Sequence, residues 1–144
     1  MVIIVDASAV IAAVDRKEPK HDVAAAALRS ATLPLIIPSP VTAEIDYLLG
    51  VRLGRAARLA FLNDIAVGNF RVECLEPGDY ATVLELEQRY AALNPGLADL
   101  SIVVLAARFN TRTILTFDER HFRVCEPLQG GRFTILPTDA DSSV

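Results

Sequence analysis

Residues 2–10 read VIIVDASAV, and the architecture of the chain can be worked out from this opening. Its first four residues are apolar and mostly β-branched, the pattern of a short strand that is buried on both faces. The run ends at Asp6, and a short helix is predicted from Ser8 to Val14. A buried strand followed at once by a helix is typical of the βαβ units that build a parallel sheet.

The same alternation of short strands and helices continues along the chain. Further strands are predicted at residues 35–37, 70–74, 113–117 and 133–136, and helices at residues 20–30, 40–49, 55–66, 77–92 and 97–109. We therefore predict an α/β domain with a mostly parallel central sheet. It is expected to span residues 1–144 as one unit, with a loose C-terminal tail from about residue 138, because this length suits a single hydrophobic core.

The composition limits the classes of protein that fit. The apolar fraction is 52%, and no apolar run approaches the roughly 18 residues of a membrane span. The opening lacks the basic segment of a signal peptide, so we expect a cytoplasmic protein without a membrane partner. Cys74 and Cys125 lack the spacing of a zinc site.

The charge balance neither supports nor excludes a nucleic-acid partner. The formal net charge is −4, which disfavours general attraction to a polyanion. Of the 14 basic residues, all but Lys17 and Lys20 are Arg, whose planar fork recognises phosphate. If a metal ion neutralised a group of acids, the remaining surface would be close to balanced.

Four acidic residues mark the ends and beginnings of predicted elements. Asp6 ends the first strand, and Asp118 follows the strand at residues 113–117. Glu44 and Asp99 fall in the first turns of two predicted helices. Ligands of open parallel sheets bind beyond the carboxyl ends of the strands, so Asp6 and Asp118 are expected to lie close together. Converging carboxylates repel each other unless a cation joins them, which predicts Mg²⁺- or Mn²⁺-dependent phosphodiester chemistry.

Each acid also has an interpretation without a metal. Asp6 could cap the helix that follows it, Asp118 could cap a short turn, and Asp99 could stabilise its own helix through the helix dipole. Glu44 could be a solvated carboxylate, and Asp46 is a second acid on the same helix. These alternatives stay open for each residue alone, and it is the joint pattern that favours a metal site.

Three segments resemble a PIN domain, and in particular the VapC-type toxins of bacterial type II toxin–antitoxin systems. They are VIIVDASAV (2–10), SPVTAEIDYLL (39–49) and GLADLSIVVLAARFNTRTILTFDERHF (96–122). With the spacing between them, the resemblance covers essentially the whole chain.

The resemblance implies a three-layer α/β/α fold and a Mg²⁺-dependent endoribonuclease, with Mn²⁺ as a plausible substitute. It also implies cleavage of structured RNA such as tRNA or rRNA, inhibition of translation, a homodimer, and inhibition by a VapB-like antitoxin. The catalytic and metal-binding residues that it implies are Asp6, Glu44, Asp99 and Asp118, with Ser8 and Thr116 as polar partners.

Alternatives to this activity can be stated within the same fold. A catalytically weak PIN-fold module could bind RNA or act as a regulator, and it would not cleave RNA when metal is added. A structure-specific DNA nuclease would need additional helical elements to clamp DNA, for which this chain has no room.

The sequence also offers candidate surfaces for partners. The basic residues near Asp118 in the sequence are candidates for contacts with RNA: Arg112, Arg120 and Arg123. A second basic set recurs every three residues and is expected on one helical face, either guiding RNA or simply solvated: Arg52, Arg55 and Arg58. His121 could contact a substrate phosphate or be an ordinary packed residue. The Ala-rich helix at residues 20–30 could form part of a groove for an antitoxin segment.

Overall fold

Five short strands form one sheet in a computed structural model of the chain, which describes residues 1–140. The strands are β1 (Ile3–Val5), β2 (Leu35–Pro38), β3 (Arg71–Glu73), β4 (Thr113–Leu115) and β5 (Thr134–Leu136). Their order across the sheet is β3-β2-β1-β4-β5, and every neighbouring pair is parallel. The sheet that was predicted to be mostly parallel is therefore wholly parallel within the described residues.

Helices flank the sheet and complete the three-layer α/β/α fold, which confirms the predicted fold class. They are α1 (Ala7–Val14), α2 (His21–Ser30), α3 (Ser39–Arg52), α4 (Arg55–Ala66), α5 (Pro77–Arg89), α6 (Leu97–Arg108) and α7 (Glu119–Val124). The sequence did not predict α7, because its six residues are mainly charged and only Phe122 among them is buried. Within residues 1–140, no helix is long and apolar enough to cross a membrane.

The core is centred on β1 and α6. All three residues of β1 are buried, and so are residues 100–106 of α6. A helix that is apolar on all sides must be enclosed by other elements, and α6 indeed contacts β1, β2, α3 and α5. The first turn of this enclosed helix carries Asp99.

The register of the sheet brings the ends of β1 and β4 to the same level. Val5 pairs with Leu115, and the next backbone N–H, that of Asp6, donates to the carbonyl of Leu115 over 3.0 Å. The residues that follow these two strands therefore lie side by side at the carboxyl edge of the sheet.

The turn between α3 and α4 differs from the prediction. The helix predicted over residues 40–49 continues to Arg52 in α3, and the chain turns at Gly54, whose φ is +97°. A Cβ atom on Gly50 would lie 2.7 Å from Cδ of Arg58, so this glycine permits close packing of α4. The prediction of one basic helical face was wrong, because Arg52 ends α3 whereas Arg55 and Arg58 belong to α4.

The predicted C-terminal tail falls partly on residues 141–144, which lie outside the described part of the chain. Within the described part, Asp139 accepts hydrogen bonds from the guanidinium of Arg123 and from the backbone N–H of Ile135.

Candidate active site

The four predicted acids border one cavity of about 320 Å³ at the carboxyl edge of the sheet. Asp6 and Asp118 reach it from the ends of β1 and β4, as parallel neighbouring strands require. Glu44 comes from the second turn of α3, and Asp99 from the first turn of the enclosed helix α6. Folding thus gathers carboxylates that are up to 112 positions apart in the chain, from residue 6 to residue 118.

Asp6 is held by a small network of hydroxyl groups. Its side chain is 5% exposed, and its Oδ2 accepts hydrogen bonds from Ser8 Oγ (3.0 Å) and Thr116 Oγ1 (2.7 Å). Each hydroxyl has one proton, so both protons are directed to this oxygen. The two hydroxyl oxygens in turn accept the backbone N–H groups of Phe117 and Asp118, each over 2.9 Å. The network therefore locks the end of β1 to the end of β4.

The helix-capping interpretation does not account for the two aspartates at the strand ends. Asp6 and Asp118 occupy the N-cap positions of α1 and α7, yet neither side chain makes a capping hydrogen bond. The competing acid Asp46 has a different role, since its Oδ1 accepts a hydrogen bond from Nε of Arg58 over 2.8 Å. Asp46 therefore links α3 to α4 and does not line the cavity.

A histidine lies between two of the acids. Nδ1 of His121 is 3.2 Å from Oδ2 of Asp118 and 3.4 Å from Oδ2 of Asp99. The side chains of His121, Asp99 and Asp118 are 15%, 18% and 40% exposed, respectively. Sequence reasoning left His121 undecided, although the signal was present: in TFDERHF it follows Asp118 by three positions, which puts both on one face of a helical turn.

Three acids of the cavity have a pKa above the ordinary value of a carboxyl group: Asp6, Glu44 and Asp99. Burial, followed by the negative charge of Asp6, raises the pKa of Asp99 to about 7, and the nearby His121 only partly opposes this. Burial also raises the pKa of Glu44, with a further contribution from the charges of Asp6 and Asp118. For Asp6, burial raises the pKa despite the hydrogen bonds from Thr116 and Ser8 that lower it. A cation in this cavity would relieve the repulsion that these shifts express.

The three arginines predicted to contact RNA, Arg112, Arg120 and Arg123, are only partly suited to that role. Arg112 precedes β4 and so lies at the opposite end of that strand from Asp118, where its guanidinium donates to the carbonyls of Gln129 and Gly130. Arg123 is paired with Glu119 and Asp139. Arg120 is exposed on α7.

The basic residues that do line the cavity are Lys20 and Arg52. Sequence reasoning missed Lys20 and gave Arg52 no connection with the acids. Lys20 lies in the connection between α1 and α2, and Arg52 lies at the end of α3. Nearness to Asp118 in the sequence therefore did not predict which basic residues line the cavity. Arg112, for example, is separated from Asp118 by the length of β4.

Comparisons with known proteins agree with the fold and identify the family. The sequence matches the family model of the PIN domain over residues 3–127. It is 38% identical over 134 residues to Ribonuclease VapC26 of Mycobacterium tuberculosis, covering 93% of this chain and 99% of that protein.

Two solved structures are similar to this protein at lower identity. VapC20 of Mycobacterium tuberculosis, a toxin that cleaves the sarcin-ricin loop, superposes with a TM-score of 0.75 and 21% identity, covering 81% of this chain and 89% of VapC20. VapBC2 from Rickettsia felis, bound to a DNA fragment from its promoter, gives a TM-score of 0.64 and 16% identity, with coverages of 94% and 97%. At these identities the two structures support the fold alone.

Proposed function

The chain belongs to the PIN domain family, as a ribonuclease of the VapC type, and from this premise we propose that it is a Mg²⁺-dependent endoribonuclease toxin. Its substrate is a structured RNA such as tRNA or rRNA, and cleavage inhibits translation in the cytoplasm. A VapB-like antitoxin holds the toxin inactive. The relative at 38% identity supports the class of enzyme, whereas the substrate and the metal are part of the proposal.

The observation that carries the proposal is the convergence of four carboxylates on one cavity. Oxygen ligands suit Mg²⁺ and Mn²⁺, and ligand atoms of Asp99, Asp118 and His121 lie within 4.8 Å of one another. Asp99 and Asp118 therefore fit a divalent ion, and we propose that Asp6 also holds it, with Glu44 beside it, because both border the same cavity. Such an ion lowers the pKa of a bound water and stabilises charge on the attacked phosphate.

The residues of the chain itself supply positioning. Ser8 and Thr116 orient the Asp6 carboxylate, because both hydroxyl protons are directed to its Oδ2. Glu44 is exposed on α3, whereas Asp6 is buried. From this position the Glu44 carboxylate can orient the attacking water. No covalent intermediate is invoked.

We further propose that Lys20 and Arg52 receive the RNA backbone at the mouth of the cavity. The Arg52 side chain is 49% exposed, and its Nη1 is as far as 4.0 Å from the carboxylate of Glu18, so this pair leaves the guanidinium available to phosphate. Two cations beside the acids would offset locally the repulsion that the net charge of −4 exerts on RNA. Arg120 remains a candidate for a further contact.

The antitoxin is proposed to bind an apolar groove of about 230 Å³ between α1, α2 and α4. Its walls include Ala25 and Leu28 of the Ala-rich helix α2, together with Phe61 of α4. An amphipathic helix of the antitoxin would bury its apolar face there. Truncating the C-terminal segment of the cognate antitoxin should release ribonuclease activity, and unchanged inhibition would contradict this assignment.

A homodimer is proposed to form through the outer face of α3. Tyr47 and Val51 lie one turn apart on this helix, and both are highly exposed for large apolar side chains. Replacing both by polar residues should convert a dimer to a monomer in sedimentation measurements.

Mapping RNA 5′ ends in cells after induction tests the activity directly. Expression of the native chain should create new 5′ ends at a few defined sites and stop growth, whereas Asp6→Asn should create none. Asp46→Asn is the matched control, because it also neutralises one aspartate but lies outside the cavity. Equal numbers of cleavage sites for the native chain and Asp6→Asn would overturn the proposal, and metal-independent RNA binding without cleavage would favour the regulatory module.

A further inference from the structure

His121 lies against two acids of the cavity, Asp99 and Asp118, and the proposed chemistry does not use it. It lies on α7, which is anchored in the core by Phe122, whose ring packs edge-on against Phe133 with centroids 6.2 Å apart. The backbone carbonyl of His121 accepts the N–H of Cys125 over 2.8 Å, which closes the helical turn. The imidazole is therefore held in a fixed position beside Asp99 and Asp118.

We infer that His121 is a nitrogen ligand of the divalent ion, completing a set with Asp99 and Asp118, and that it makes the site prefer Mn²⁺ to Mg²⁺. This inference rests on the proposed function in one respect, namely that a divalent ion binds in this cavity. It goes further by assigning a ligand outside the acid quartet.

The separations of the donor atoms fit adjacent positions around one ion. Neighbouring ligands of an octahedral ion at about 2.1–2.3 Å are separated by about 3.0–3.3 Å. Nδ1 of His121 lies 3.2 Å from Oδ2 of Asp118 and 3.4 Å from Oδ2 of Asp99. These separations match that spacing closely, so an ion could bind all three donors with little movement of their side chains.

The chemistry of the donor explains the expected preference. Mg²⁺ is bound almost entirely by oxygen, whereas imidazole nitrogen suits the transition metals better. Coordination uses the lone pair of Nδ1 and leaves the ring proton on Nε2. The alternative is that Nδ1 keeps a proton and donates it to Asp118, in which case His121 orients a ligand without touching the ion.

Pulsed electron paramagnetic resonance of the Mn²⁺-loaded, tag-free full chain separates these two arrangements. A directly coordinated imidazole gives nitrogen modulation of the Mn²⁺ echo, and we expect this signal in the native chain. The chain contains only two histidines, which makes the assignment simple. His121→Gln should abolish the modulation. His21→Gln should keep it, because Nδ1 of His21 is 2.9 Å from the carbonyl of Ala12, and His21 is not in the group formed by Asp99, Asp118 and His121.

Metal titrations give a second readout that does not depend on catalysis. We expect His121→Gln to lower the preference for Mn²⁺ over Mg²⁺ by about tenfold, while His21→Gln leaves it unchanged. Circular dichroism of each variant verifies that its fold is intact. Bound Mn²⁺ without nitrogen modulation in the native chain would overturn the inference and leave the ribonuclease proposal standing. Failure of the folded native chain to bind Mn²⁺ at all would overturn both.

Discussion

The two halves of the acidic cavity are built in different ways. On the sheet side, Asp6 is buried and receives two hydroxyl hydrogen bonds from Ser8 and Thr116. The helix side consists of Asp99 in α6 and Asp118 at the start of α7. Within residues 1–140, His121 is the one side chain within bonding or ion-pair distance of either carboxylate.

This difference indicates which half is preformed and which half awaits a ligand. The hydroxyl network satisfies Oδ2 of Asp6 without any cation, so its position is fixed by the fold alone. Asp99 has no comparable donor, and burial raises its pKa to about 7. We infer that the sheet side is rigid before any ion binds, and that a bound cation would stabilise the negative charge of the helix side.

The most severe test of the preformed half is Asp6→Asn. The amide oxygen can still accept the two hydroxyl hydrogen bonds, so the fold should be retained, but one negative ligand is lost. Loss of a metal-binding charge should lower the rate of RNA cleavage by on the order of a thousandfold. The measurement is single-turnover cleavage of a structured RNA with Mg²⁺, with Asp46→Asn as the control. Activity within a few-fold of the native chain would show that the reaction occurs at a different site.

Removing one support of Asp6 should have a smaller effect. Thr116→Val keeps the shape of the side chain but deletes the donor to Asp6 and the acceptor of the Asp118 N–H. We expect a 10–100-fold loss of cleavage rate, typical of losing a partner that orients a metal ligand. The free energy of unfolding should also fall by about 1–3 kcal/mol.

Thr113→Val is the control for this variant, because Thr113 begins the strand that Thr116 follows and its hydroxyl does not bond to Asp6. If both valine variants lost activity to the same extent, the hydroxyl network would not be what positions Asp6.

The contrast between the two halves also explains what could be predicted from the sequence. The positions of Asp6 and Asp118 followed from a rule of parallel sheets, since both come directly after buried strands. Glu44 and Asp99 could not be oriented by periodicity alone, and it was the family resemblance that assigned them to the same site.

Other parts of the cavity were not predicted, for identifiable reasons. His121 faces the acids because α7 forms, and six mainly charged residues carry no periodic signal for a helix. Lys20 reaches the cavity from an irregular connection, whose path depends on tertiary packing. Arg112 was nominated because it is near Asp118 in the sequence, but β4 lies between them.

The cations at the mouth of the cavity give a test of substrate binding alone. Substituting Lys20→Ala and Arg52→Ala together should raise KM for RNA about tenfold and leave kcat nearly unchanged. The slope of log affinity against log salt should fall by about 1.5, as expected for two lost phosphate contacts.

A double variant of Arg89→Ala and Arg132→Ala is the matched control, because it removes the same charge from exposed positions outside the cavity. If the slope of log affinity against log salt fell equally in both double variants, the weaker RNA binding would come from the lower net charge and not from the positions of Lys20 and Arg52.

An effect on stability alone is expected from neutralising Asp99 on the helix side in the absence of metal, which removes a buried charge and its repulsion by Asp6. The pKa of Asp99 rises from 3.8 to about 7 on folding, so the folded protein holds this proton more tightly than the unfolded chain does. The free energy of unfolding contributed by this group therefore falls as the pH rises from about 4 to about 7, and is level above that. Asp99→Asn abolishes the titration, and at pH 8 in EDTA it should raise the free energy of unfolding by up to about 4 kcal/mol.

Denaturant unfolding at pH 5 and pH 8, with metal chelated, decides the sign of this effect. At pH 5 the folded protein holds this proton while most of the unfolded chain has lost it, so the two proteins should differ by less than they do at pH 8. Asp99 also lies in the first turn of α6, where a negative charge favours the helix dipole by about 0.3–1 kcal/mol. If Asp99→Asn proved less stable than the native chain at pH 8, the dipole would outweigh the repulsion. The helix side would then be stabilised by the fold itself, and the distinction between the two halves would not hold.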